Sequence, residues 1–229
     1  MKTTLTFVLL MSIVIPLEGQ SELTNLSRLP YHLTSASGDS IKGLVFFISG
    51  DGGYTSYDQS ICTEFANKGY PVIGFDALKY FWDRKDVATT VADVQKLLSF
   101  YENLWHKSEF IFVGYSFGAD AVPVIVNRLE EKFKSKTKLV GLLSPSTSAD
   151  LEIHVGDMLS INTKPGLYDL AREINRLTFA ETICVFGENE KGEIRNAISN
   201  PNVKFAFIKG GHRFSSNFEK MAELILQKD

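Results

Sequence analysis

The chain has 229 residues, of which 44% are hydrophobic and 22% charged, a globular composition at a length that suits one domain with a full core. The formal charge of −3 leaves no basic footprint for nucleic acid. The mixed charge run at 130–134 reads as a solvated helix end.

Residues 1–19 read as a signal peptide. Lys2 supplies a short positive region, 5–17 are apolar apart from Thr6, Ser12 and Pro16, and Gly19 offers a small residue for cleavage. The apolar stretch is short for a membrane span, and the absence of a cysteine near the cleavage site argues against a lipoprotein anchor. The alternative is an uncleaved N-terminal tether. Both place the remaining domain, 20–229, outside the cytoplasm: in the periplasm, or otherwise extracellular or tethered to the membrane.

After a polar tail at 20–27, residues 28–35 suggest an edge strand carrying His32, with a turn at 37–39. Residues 43–49 form a continuous apolar run, the mark of a strand buried on both faces. The loop that follows contains Gly50, Asp51, Gly52 and Gly53, a turn signal whose glycines also let backbone amides approach a reacting carbonyl. The Asp51 N–H is a candidate oxyanion donor. A helix over 57–68 stops at Gly69, and a strand follows at 71–75. Tyr80, Phe81 and Trp82 suit either the lining of an acyl or lipid pocket or an aromatic core. Residues 86–105 form an amphipathic helix with Val87, Val91, Val94, Leu97, Leu98 and Tyr101 on one face, and His106 follows it.

The strand at 109–113 runs into Gly114, Tyr115, Ser116, Phe117 and Gly118, and a helix-like stretch follows at 119–129. Strand, G-x-S-x-G turn and helix make the context of a nucleophile elbow. There Ser116 is the candidate nucleophile, and the Phe117 N–H with the helix N-terminus is aimed where an oxyanion would form. Asp120 falls in the first turn of that helix, where the dipole favours a carboxylate. It could also meet a cationic substrate group.

A strand at 139–143 leads into the least regular stretch, 145–165, which contains His154 and has room for a lid or an extra hairpin. A helix at 167–176, strands at 181–186 and 203–208, and a closing helix at 214–228 complete the chain. Alternating strands and helices imply a mostly parallel sheet with helices on both faces. Cys62 and Cys184 fall in different elements and read as buried free thiols.

A serine hydroxyl needs a base, and the base needs an orienting acid. Of the four histidines, His212 alone follows the last strand, in a loop with Gly210 and Gly211. The order serine, acid, histidine places the base there in an α/β-hydrolase. The acid should follow the penultimate strand, where Glu188, Glu190 and Glu193 are available. Glu190, three residues past Gly187, is preferred over Glu188. No metal-ligand spacing, dinucleotide fingerprint or P-loop is present, so no metal and no cofactor are expected.

Four segments give the chain a resemblance to a family. They are 48–53, 74–82, 114–120 and 210–214, and the loop at 184–191 is similar to the family's acid-bearing loop. The chain resembles the bacterial virulence protein VirJ family, which includes the C-terminal domain of AcvB, from about Gly43 to its end. Tyr54 stands where the family usually has Trp, and Asn189 where it usually has Asp. The resemblance implies an exported α/β-hydrolase with Ser116 as nucleophile and His212 as base. It also implies a substrate, the ester of an aminoacyl lipid such as lysyl-phosphatidylglycerol, met through peripheral contact with a membrane surface. Rival readings are a non-catalytic accessory protein of an envelope or type IV secretion system, and a general soluble esterase acting on a small ester.

Overall fold

The computed structural model describes residues 26–38, 41–153 and 166–226. The expected signal peptide and His154 lie outside them. In chain order the first elements are β1 (Tyr31–Thr34), β2 (Leu44–Ile48), α1 (Ser56–Asn67), β3 (Val72–Phe75), α2 (Ala77–Phe81) and α3 (Val87–Trp105). Then come β4 (Phe110–Tyr115), α4 (Phe117–Val126), α5 (Glu131–Lys134), β5 (Thr137–Leu143), β6 (Ser148–Ala149), β7 (Tyr168–Asp169) and α6 (Leu170–Asn175). The chain closes with β8 (Glu181–Gly187), β9 (Val203–Ile208) and α7 (Phe218–Leu226), with short 3₁₀ turns at Glu193–Ala197 and Phe214–Ser216.

Seven strands form one sheet in the order β1-β3-β2-β4-β5-β8-β9. Every pairing is parallel except β1 with β3. The apolar run of β2 shows why such a sheet needs two covers. Leu44, Phe46 and Ile48 pack on the side of Val94, Leu97 and Leu98 of α3, whereas Val45 and Phe47 pack with Ile61 and Phe65 of α1 and Met221 and Ile225 of α7. Successive side chains of a strand point to opposite faces, so a strand covered twice must be apolar throughout. This is the α/β-hydrolase arrangement expected from the sequence.

The helix starts follow local chemistry. Thr55 and Asp58 make a reciprocal capping box on α1, and Asp86 accepts the Ala88 and Thr89 amides at the head of α3. Cys62 and Cys184 are both buried free thiols.

Two expectations are corrected, and one element is added. The helix expected at 167–176 begins only at Leu170, because Tyr168 and Asp169 pair antiparallel with Ser148 and Ala149, and Asp169 then caps α6 through the Arg172 amide. The closing helix begins at Phe218, because Phe214, Ser215 and Ser216 all have left-handed backbone angles that cannot propagate an α-helix. A short helix, α2, sits within 74–82, capped by the Asp76 side chain on the Lys79 amide. No helix among the described residues is long and apolar enough to cross a membrane.

Candidate active site

The sheet's carboxyl edge collects Ser116, Glu190 and His212, which follow the ends of β4, β8 and β9. β4 is the central strand, flanked by β2 and β5, and Ser116 follows its last residue directly. Ser116 has φ 53° and ψ −118°, and its amide donates to the Leu143 carbonyl at 2.9 Å. A non-glycine residue in such a conformation costs about 1–3 kcal/mol. The two glycines of the motif make the turn possible. A β-carbon on Gly114 would lie 2.2 Å from the Gly118 carbonyl oxygen, and one on Gly118 would lie 2.1 Å from the Ile48 carbonyl oxygen. Ser116 caps α4 without a side-chain cap bond, so its hydroxyl is not committed to its own helix.

His212 meets that hydroxyl. Its Nε2 lies 2.8 Å from Ser116 Oγ, and its Nδ1 lies 2.8 Å from Glu190 Oε1. Of the three glutamates weighed from the sequence, Glu190 is the one that reaches the imidazole. The cause is a tight turn, in which the Glu190 amide donates to the Gly187 carbonyl at 2.9 Å and curls the side chain back over the sheet edge. Glu188 is exposed and uses its amide to extend the ladder to Ile208 at 2.9 Å, while Glu193 pairs loosely with Lys191 at 3.9 Å. The Asn189 amide donates to the Gly210 carbonyl at 3.0 Å, so the loops carrying Glu190 and His212 are joined beyond the end of the β8–β9 ladder.

Glu190 Oε2 accepts from the Gly187 amide at 2.6 Å and from Ser144 Oγ at 2.7 Å. Burial alone would push this carboxyl up. The bonds from His212, Ser144 and the Gly187 amide, with the His212 charge, outweigh burial and hold it below the ordinary carboxylate range. Ser144 was not singled out from the sequence. Its available signal was its place as the first polar residue after the apolar β5, at the same sheet edge as Ser116.

The loop after β2 closes on itself through the Gly53 amide and the Gly50 carbonyl at 3.0 Å. It lies beside the elbow, with the β-carbon position of Gly50 3.6 Å from Ser116 Cβ. Asp51 therefore sits in the loop beside Ser116, and Phe117 is the first residue of α4.

Asp120 lies in the first turn of α4, and its two oxygens accept from the amide and hydroxyl of Ser146, each at 2.7 Å. Desolvation pushes its carboxyl up to about 7, against the pull of both Ser146 bonds and of the His212 charge. The side chain nevertheless keeps partial contact with solvent. Beside Ser146 opens a cleft of about 380 Å³, bounded by Pro145 and Thr147 on one side and by Glu190 and Ile194 on the other.

The two aromatics offered as pocket residues are not gathered with Ser116, His212 and Glu190. Tyr80 is buried against Phe75 and Phe81, and its hydroxyl donates to Asp93 of α3 at 2.8 Å. Trp82 is 55% exposed. Phe81, between them, is the ring that reaches the elbow, 5.2 Å from Phe117. His32 stacks on Tyr54 at 4.3 Å, and His106 ends α3 in a left-handed cap, so neither joins the site.

Solved structures with the same architecture are numerous. Est1E from Butyrivibrio proteoclasticus aligns with a TM-score of 0.60 at 12% identity, over 85% of this chain and 90% of that one. A lipase-esterase related protein from Clostridium acetobutylicum gives 0.59 at 14% identity, over 85% and 98%. The thioesterase domain from the curacin biosynthetic pathway gives 0.58 at 16% identity, over 86% and 95%. At these identities the likeness establishes the α/β-hydrolase fold. No curated protein is significantly similar in sequence. The family is established separately: residues 42–229 match the family described as bacterial virulence protein (VirJ), and the chain belongs to it.

Proposed function

We propose that this protein is an exported, periplasmic serine hydrolase that cleaves a carboxylic ester through an acyl-Ser116 intermediate. The observation that carries the reading is the unbroken line Ser116 Oγ, His212 Nε2, His212 Nδ1, Glu190 Oε1, with 2.8 Å at each step between residues. In the proposed reaction Nε2 takes the Ser116 proton as Oγ attacks the ester carbon. The imidazolium then returns that proton to the leaving alkoxide, and a water repeats the sequence on the acyl-enzyme. Glu190, ionised and held by Ser144 and the Gly187 amide, fixes the tautomer with the proton on Nδ1. The Asp51 and Phe117 amides receive the tetrahedral oxyanion, a contribution of about 3–4 kcal/mol per donor in measured cases.

The substrate proposed is an aminoacyl ester of a lipid head group, of the lysyl-phosphatidylglycerol kind, reached by peripheral contact with the membrane. Family membership supports it. So does Asp120, a carboxylate beside the triad that, when ionised, could accept a substrate ammonium. The decisive experiment incubates the purified domain with aminoacyl-phosphatidylglycerols and with neutral p-nitrophenyl esters, alongside a fluorophosphonate probe. Probe attachment at Ser116 that requires His212, with release of free amino acid, is the expected outcome. Attachment without aminoacyl release would leave a general esterase, and no attachment would end the hydrolase reading. Asp120→Asn should lower kcat/KM for the aminoacyl lipid about tenfold or more while changing the neutral ester little.

A further inference from the structure

The general base stands on an exposed loop whose backbone is under strain. After His212 and Arg213 come three successive non-glycine residues with left-handed angles, Phe214 at φ 50°, Ser215 at 50° and Ser216 at 56°. Such residues are individually unfavourable and persist only where surrounding structure imposes them. Two buried tyrosines hold the two carbonyls just before this run. Tyr115 Oη donates to the His212 carbonyl at 3.3 Å, and Tyr57 Oη donates to the Arg213 carbonyl at 2.9 Å. The two rings pack together at 5.1 Å, the Tyr115 ring lies 5.4 Å from the imidazole, and the Arg213 guanidinium covers the Tyr57 ring at 4.8 Å. Behind them Phe214 is fully buried.

Neither hydroxyl has a place in the proton transfers. What they share is the backbone they grip. Tyr115 is the residue immediately before Ser116, on the central strand, so the nucleophile and the tether of the base's main chain belong to one rigid element. We propose that Tyr57 and Tyr115 are a pair of positioning residues that fix the His212 backbone, and through it the imidazole, relative to Ser116. The inference rests on the serine-hydrolase reading for its catalytic consequence, but the tether itself is a structural claim. Both phenols are protonated donors at neutral pH, as any tyrosine is, and burial pushes them further up.

The test uses Tyr57→Phe, Tyr115→Phe and the double variant, which keep the rings and remove only the donors. A net hydrogen bond corresponds to about a 3–10-fold change in rate when its loss is felt in the transition state. Each single variant should lower kcat by about that factor on a p-nitrophenyl ester at unchanged KM, with Ser116 phosphonylation slowed in parallel. The double variant should fall further, at temperatures where circular dichroism shows all proteins folded. Ring ¹⁵N signals of His212 should shift or broaden in the double variant. Wild-type kcat together with unmoved His212 signals in the double variant would overturn the proposal. An inert wild type would instead remove the hydrolase reading, while the His212 ring signals would still decide whether the tyrosines set the imidazole.

Discussion

The carboxyl of Glu190 has three partners, and one of them, Ser144, does nothing else that the proposed chemistry needs. Ser144→Ala should leave the acid free to swing and lower kcat by about 3–10-fold with little change in KM, measured on a p-nitrophenyl ester. Asp120 makes the opposite demand on its surroundings. Its folded pKa lies above the ordinary carboxylate value, so between the two the folded chain holds a proton that the unfolded chain has released. This group therefore supports the fold at pH 5 and withdraws that support as pH rises through 7. Its solvent contact reduces the effect to something on the order of 1 kcal/mol. Thermal melts should show the wild type losing more stability from pH 5 to pH 8 than Asp120→Asn does, and equal slopes would contradict the assignment. Glu190 and Ser144 mark a limit of sequence reading. Ser116 and His212 were legible because each follows an apolar run and has glycines beside it. Glu190 was preferred over Glu188 from its place three residues past Gly187, but the loop curl that brings it to His212, and the side-by-side strands that bring Ser144 to it, are not encoded in local pattern.

Helix α4 bears most of the geometric burden of the site. Its first turn touches β2 so closely that Gly118 has no room for a methyl group against backbone, which cannot yield as a flexible side chain can. Gly118→Ala should destabilise by more than about 3 kcal/mol or yield no soluble protein. A melting temperature within a few degrees of wild type would show that the elbow can open. The other end of α4 is tied to α6 by Glu173, a buried carboxylate that accepts from Asn127 and from both terminal nitrogens of Arg128. Burial pushes Glu173 up, but these partners hold it below its ordinary value. Arg128→Ala would strand that charge and should cost roughly 2–4 kcal/mol in urea denaturation. The elements were readable wherever hydrophobic period governed, as in α3 and β2. They were misread where a distant pairing intervened, as at Tyr168 and Asp169, whose partners lie about twenty residues earlier across the chain.

The sheet unites these parts, and its two faces are sealed separately. Cys62 lies in the cluster with α1 and Cys184 in the cluster on the opposite side, both fully buried. Burial pushes the Cys184 thiol up to about 12 and Cys62 up as well, so neither supplies thiolate at neutral pH. In native buffer a maleimide should leave both unmodified, and both should react in step as urea unfolds the chain. Early modification of one alone would show that its face opens independently. The order of parts along the chain carries a last implication. Ser116 is made just past the midpoint of the chain, whereas His212 arrives only after the outermost strand, β9, has been made. Under the proposed chemistry, a polypeptide truncated before β9 carries the hydroxyl without its imidazole, and ester cleavage would report a finished assembly.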